Sequence, residues 1–358
     1  MKNRFFIKEM KIYTILVGII SILLNSCSQD TKIESDESYF SEFNNIDTLK
    51  FKVLFKPHDF IPRDIHPHDS LLIIKSDIRG QKFWFQIYSL KQEKVIKSIL
   101  PYGRGPGEAL GISSSGIINN TFWAYDITKR EILTCNLDSL LESQNASFTT
   151  IDAEISSYQI DYYDTSKVVV SLVDEETKYK MSIIDLEKNR NVEKIGLFDN
   201  IPNTETITGY KDAHLFYINV KPNKSGNLAI LYRYMDLIEI YNNGKLQHKL
   251  HGPDQYKVDY ELGKRGNTSY MKKTDKTKKA FVSSVATNQF IYGLYSGNLK
   301  KSKLWSYGKY IFRYTWDGKP DKSFFSESAI ATIGIDKKKL YAYLPEEGVL
   351  SYINLDNK

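Results

Sequence analysis

Two histidine pairs are the first places in the chain where chemistry could concentrate: His66-Pro67-His68 and His248-Lys249-Leu250-His251. Imidazoles can ligate a metal or carry a proton. Ligation needs three or four convergent donors, and no third is identifiable beside either pair. The first pair reads as a turn between two strands, with Asp64, Pro67 and Asp69 supplying turn chemistry. In the second, residues three apart on a strand face opposite sides. Cys135 alternates with apolar residues in Ile132-Leu133-Thr134-Cys135 and reads as a buried, inert thiol. Gly103-Arg104-Gly105-Pro106-Gly107 has the glycine density of an anion cradle, but no helix follows, so it reads as a turn. The acidic runs Asp174-Glu175-Glu176 and Glu346-Glu347 read as solvated loop tips. No Walker A loop, Gly-x-Ser-x-Gly elbow, His-Glu-x-x-His or Cys-x-x-Cys occurs, so no catalytic residue, metal or cofactor is expected.

A different chemistry is concentrated in three long segments, 196–213, 251–280 and 296–308, which carry Tyr210, Tyr256, Tyr260, Arg265, Tyr270, Lys303, Trp305 and Tyr307. Between Lys264 and Lys279 there are seven basic residues against one acid, Asp275. Rings and cations of this kind stack on sugars and peptides. These eight residues are the candidate ligand contacts.

The elements that must position them follow from a repeat. A short strand, a tight polar turn and two or three further alternating strands recur six times, with second strands beginning at Leu71, Thr121, Lys167, Asn227, Phe290 and Leu340. Units of this size cannot bury their own apolar faces, so they must stack, and four-stranded propeller blades have about this period. The expectation is an all-β, six-bladed β-propeller of four-stranded antiparallel blades over residues 46–358. The long intervals should hold insertions and no extra strands. The sixth unit supplies three strands only, 329–335, 340–344 and 349–355, and the alternating segment Thr48–Phe55 should close the ring as its fourth. First strands rich in small residues, such as Ser113, Ser114, Ser115, Ser283, Ser284, Ala286, Ala329, Ala331 and Thr332, suit a crowded axis. In this topology the three long segments all emerge on one face, while first-to-second and third-to-fourth connections are short throughout.

Ahead of the propeller, Lys2, Arg4, Lys8 and Lys11 precede an apolar run, Ile12–Leu24, as in a signal peptide over residues 1–26. The run ends in Leu24-Asn25-Ser26-Cys27, which fits a lipobox, so Cys27 should be acylated and 27–45 should be a polar tether. Processing lowers the net charge from +6 to +3, too mild a balance to imply nucleic acid. The one thiol then left, Cys135, leaves stability to packing without an internal disulfide.

Tyr102-Gly-Arg-Gly-Pro-Gly-Glu108, Ile291-Tyr-Gly-Leu-Tyr-Ser-Gly297, Trp316-Asp-Gly-Lys-Pro320, Ile335-Asp336, Leu340-Tyr341 and Tyr352 resemble the TolB-like six-bladed β-propeller lipoproteins of Bacteroides-type bacteria, and more distantly NHL-repeat propellers. Ala109-Leu110 stands where an aromatic often follows the Gly-Pro-Gly-Glu turn. The resemblance implies a lipid-anchored outer-membrane protein and no single activity. The leading expectation is a binding platform for a glycan, peptide or envelope protein on the long-loop face. The competing one is a lyase or hydrolase of anionic sugars at the channel mouth, and a third is a structural subunit of an envelope complex.

Overall fold

The computed structural model describes residues 36–77, 80–143, 147–172, 178–199, 201–202, 205–224, 226–337 and 339–355. The expected signal peptide, Cys27, Asp174-Glu175-Glu176 and the start of the expected tether lie outside them. Six antiparallel sheets of four meandering strands form a ring, with the innermost strands at Pro62–His68, Ile112–Ile118, Ile160–Tyr162, Phe216–Val220, Phe281–Ala286 and Thr332–Asp336. Blades one to six follow in chain order. Hairpin turns match their sequence signals: Asn243 and Gly244 both take positive φ, 48° and 72°, as a two-residue turn between right-twisted strands requires.

The seams between blades are apolar. Between blades one and two, Ile73, Phe85, Ile87, Phe122 and Leu133 interlock; between four and five, Ala229, Leu231, Phe281, Phe312 and Tyr314 do so. Each large apolar side chain fully buried there contributes roughly 1.5–3 kcal/mol. Gly293 permits the second of these contacts, because a Cβ on it would lie 2.5 Å from Phe281 and 2.7 Å from Leu231.

Closure comes from the N-terminal segment, but it divides differently from the single clasp expected. Lys52–Phe55 pairs antiparallel with Val349–Asn354 and completes blade six. Ile46–Thr48 instead pairs parallel with Pro320–Ile330 as a fifth strand of blade five. Asp36–Tyr39 pairs parallel with Lys245–His251 in blade four. Of the stretch expected to be a polar tether, 27–45, the described part is bound to the ring from Asp36 onward, with Phe43 stacked on Phe312 at 4.7 Å and set edge-on to Tyr314. The strap covers the outer edges of blades four and five, whose backbone groups would otherwise be open to further pairing.

Three further differences have local causes. Asn136 accepts hydrogen bonds from the N–H groups of Asp138 and Ser139, capping a helix, Leu137–Glu142, so the third-to-fourth connection of blade two is not short. Thr149–Asp152 then forms the outer strand. Ala329 lies at the end of the outer strand of blade five, Pro320–Ile330, and Ala331 in the bend after it, which leaves Thr332 to open blade six. The long intervals hold elements of their own: a helix, Ile207–Ala213, and a two-stranded hairpin, Glu261–Arg265 with Thr268–Lys272.

Candidate functional site

The small residues of the innermost strands do not crowd the axis; they surround a cavity of about 890 Å³ with residues from all six blades in its wall. Their hydroxyls link neighbouring blades. Ser114 Oγ accepts from the Ile160 N–H (3.1 Å), the Asn219 amide donates to Ser284 Oγ (2.8 Å), and Ser283 and Thr332 hydroxyls meet at 3.4 Å. Ser115 Oγ lies 2.8 Å from His66 Nε2. His66 thus sits in an innermost strand facing the axis and not in a turn, because Pro62–His68 pairs through His68 before the chain reverses. Burial lowers its pKa, with Asp64 opposing that effect.

Ionisable groups from three blades share this cavity. Blade one contributes Arg63, which donates to Asp77 (2.5 Å), and Lys75, which donates to the Ile112 carbonyl (2.7 Å) and whose pKa burial lowers. Blade three contributes Asp161. Its carboxylate accepts the Tyr162 and Val220 N–H groups at 2.8 and 2.9 Å, yet burial outweighs those bonds and pushes it up to about 7. Blade four contributes Tyr217, whose hydroxyl donates to the Val282 carbonyl, and Arg233, whose guanidinium lies 5.0 Å from the centre of the Tyr217 ring. The rim on the short-turn face is formed by turn residues including Asn119, Thr165, Asn223 and Lys224, and Arg63, Lys75 and Arg233 lie toward the long-loop end.

The long loops fold into a cap in which four of the eight sequence-predicted contacts, Tyr210, Tyr256, Tyr260 and Trp305, are already engaged. Tyr210 stacks on His214 at 4.0 Å and donates to the Asp199 carbonyl. Tyr256 packs against the blade four and five seam, with the Lys278 ammonium 4.8 Å from its ring. Tyr260 and Trp305 pack on Ala213, Tyr234 and Met271, and Trp305 stacks on Tyr234 at 6.1 Å. The helix meets the hairpin at Gly209, where a Cβ would lie 2.6 Å from Leu262 and 3.0 Å from the Tyr270 backbone. Arg265, Tyr270 and Lys303 are exposed, and Tyr307 is half-buried. The cap brings together Tyr260 and Trp305; it does not gather all eight residues into one concave surface.

Elsewhere the reactive residues are occupied. His248 and His251 face opposite sides of their strand toward Asp36 and Glu37 of the strap, and His251 Nε2 lies 2.8 Å from Glu37. Cys135 is buried, and burial raises its pKa. Glu108 accepts from the Gly105 N–H and closes the glycine-rich turn between blades one and two. Among the described residues, no cluster of His, Cys, Asp and Glu could hold a metal ion, and no helix is long and apolar enough to cross a membrane.

The residues that sequence reasoning missed are Asp161, Arg233, Lys75 and Tyr217. Each interrupts or ends an apolar strand next to the axis, and that position is visible only once the strands are ordered radially.

A family model for TolB-like 6-blade propeller-like proteins matches residues 39–338. Among solved structures, a Bacteroides vulgatus protein of the DUF4221 family is similar with a TM-score of 0.52 at 9% identity, covering 86% of this chain and 96% of that one. A Bacteroides fragilis protein described as exported gives 0.50 at 12%, covering 86% and 88%. Raptor from Chaetomium thermophilum gives 0.51 at 9%, with 87% of this chain matching 29% of that chain. No curated protein sequence matches.

Proposed function

Since the chain belongs to the TolB-like six-bladed propeller family, we propose that it is a lipid-anchored envelope protein of the outer membrane that binds a polar ligand, a glycan or short peptide, in its axial cavity. Cys27 would carry the lipid, and the short segment before Asp36 would hold the ring off the membrane surface. The observation that carries the binding reading is the cavity: about 890 Å³, walled by all six blades and furnished with hydroxyls, rings and buried charges. A concave space with a few convergent polar groups is the usual form of a ligand site. The long-loop face is the weaker candidate because its rings are mostly covered by one another and by lysines.

The test is a glycan and peptide array probed with the whole chain in detergent micelles. Ser284→Trp, which fills the axis, should abolish capture, whereas Arg265→Ala, Tyr270→Ala and Lys303→Ala should leave it intact. The reverse pattern would move the site to the loop face and sink the axial reading.

A second reading has one observation in its favour. Asp161, with a pKa near 7, is suited to donate or accept a proton, and it shares the cavity with Arg233 and Lys75. A lyase or hydrolase of anionic sugars could use that set. Product release from polyuronates that disappears in Asp161→Asn would support it, and its absence across such polymers would remove it.

A further inference from the structure

At the long-loop end of the axial cavity the wall residue Arg233 has no acid partner among the described residues, and Lys279 and Lys273 of the cap lie behind it. Arg233 follows the second strand of blade four, and its backbone is fixed at both ends: the N–H donates to the Leu215 carbonyl (2.8 Å) and the carbonyl accepts from Ala280 (2.9 Å). Its guanidinium faces the Tyr217 ring, and Nε is buried with no hydrogen-bond partner among the described residues. Neither Arg233, Lys279 nor Lys273 has a carboxylate within ion-pairing distance among the described residues. Lys279, next to Ala280 in sequence, is buried with its ammonium 5.5 Å from the centre of the Trp305 ring, and Lys273 sits 5.3 Å from that of Tyr234. Burial, then Arg233 and Lys273, push Lys279 down to about 8.

The neighbouring acids are committed elsewhere. Asp212 accepts from the Met271 N–H and feels Lys273 only from beyond ion-pairing distance, and Asp64 accepts from the Ile65 N–H with its other oxygen 3.6 Å from His66. A buried guanidinium donor left without an acceptor is costly, and a ring face compensates only in part. Arginine offers the planar fork that suits carboxylates and sulfate oxygens.

We propose that Arg233 anchors an anionic group, a carboxylate or a sulfate ester, on the ligand held in the axial cavity, with Lys279 and Lys273 supplying the surrounding positive potential. The inference rests on the axial reading and adds the chemistry of what enters. An acidic ligand would reach Arg233 by extending the length of the channel, because Arg233 lies at the end away from the short-turn rim.

The experiment is isothermal titration of the whole chain in detergent micelles with glucuronate, glucose 6-sulfate and glucose. At least one acidic sugar should bind about tenfold or more tightly than glucose, as a charge-assisted contact implies. Arg233→Gln should bring that ratio close to one while glucose affinity holds, and Lys279→Met should reduce it about two- to threefold. Which acidic sugar wins separates a planar from a tetrahedral anion.

Equal affinities for acidic and neutral sugars, with Ser284→Trp abolishing all binding, would overturn the anion site and leave the axial reading standing. Binding unaffected by Ser284→Trp would overturn both. Should Arg233→Gln fail to fold by circular dichroism, NMR of ¹³C-labelled Lys279 during a sodium sulfate titration carries the test. Its pKa should rise as the anion binds, and a flat titration overturns the proposal.

Discussion

At the axis, Ser114, Ser115, Ser283, Ser284 and Thr332 surround open space and join the blades through hydroxyls. Beneath the long loops, Tyr234, Tyr260, Met271 and Trp305 fill their space with side chains, and lysines cover the remaining ring faces. Both regions collect side chains from several blades, but only the first leaves room for another molecule. The contrast shows that exposed-looking aromatic and basic loops can be a folded lid, while short strands of serine can be the wall of a cavity.

The cap base meets the ring at a buried ion pair between blades three and four, and breaking it should have the largest effect. Lys180 of blade three donates to both carboxylate oxygens of Glu239 in blade four at 2.7 and 2.8 Å, and Tyr241 donates to the same carboxylate. The His214 and Phe198 side chains of the cap base lie close to Lys180. Glu239→Ala leaves that ammonium buried and unpaired, so chemical denaturation should report a loss of about 3–5 kcal/mol. Lys180→Met with Glu239→Leu should restore most of it. If the single variant lost under 1 kcal/mol, the cap and ring would not be joined through this pair.

Next in size are titrations of opposite sign in the two regions. His214, in the cap base, is pushed down to about 4, chiefly by burial, against an unfolded value near 6.5. As pH falls from 6.5 toward 4 the unfolded chain takes up a proton that the folded one refuses, so stability falls with acidification. Asp161 at the axis is pushed up to about 7 from an unfolded value near 4. Here the folded chain keeps a proton that the unfolded one has released, so stability falls as pH rises from 4 to 7. Asp236, also raised to about 7 by burial, acts in the same direction as Asp161. Each group contributes about 3–4 kcal/mol at most. Denaturation across pH 4–7 should therefore show His214→Gln losing less stability than wild type on acidification. Identical pH profiles would refute the assignment.

Trp305→Ala should come third. The ring is half-buried against Tyr234, so its loss should cost about 2 kcal/mol, below the range for a fully buried tryptophan. Ligand affinity at the axis should not change. A variant with normal stability and lost binding would reverse the roles given to the two regions.

The ring was legible in the sequence because period-2 alternation and regular spacing are local signals, and so was the blade-six clasp near Phe55. The cap was legible only in part. Its Thr268-Ser-Tyr-Met-Lys272 alternation after Gly266-Asn267 is a hairpin signal, but the long interval drew attention to its composition instead. The strap was obscured because acidic Asp36 and Glu37 suggested a solvated tether, whereas they face His248 and His251 some 200 residues away. The axial site was the least legible. Nothing local distinguishes Asp161 or Arg233 from ordinary strand-end charges; their shared cavity exists only after six strands converge.

The smallest predicted effect separates a structural lysine from one kept for a ligand. Lys279 covers Trp305 as a structural cation would, but its folded pKa of about 8 lies below the unfolded value near 10.4, so its charge opposes folding. Below pH 8 that penalty is present in full; as pH rises from 8 to about 10.4 the unfolded chain holds the extra proton and wild-type stability recovers. Lys279→Met keeps the aliphatic cover and removes the charge. The variant should be more stable at pH 7 by about 1 kcal/mol, with the gain shrinking above pH 8. A net loss at pH 7 would make Lys279 part of the cap's own support, and the difference drawn between the cap and the axis would then stop short of this residue.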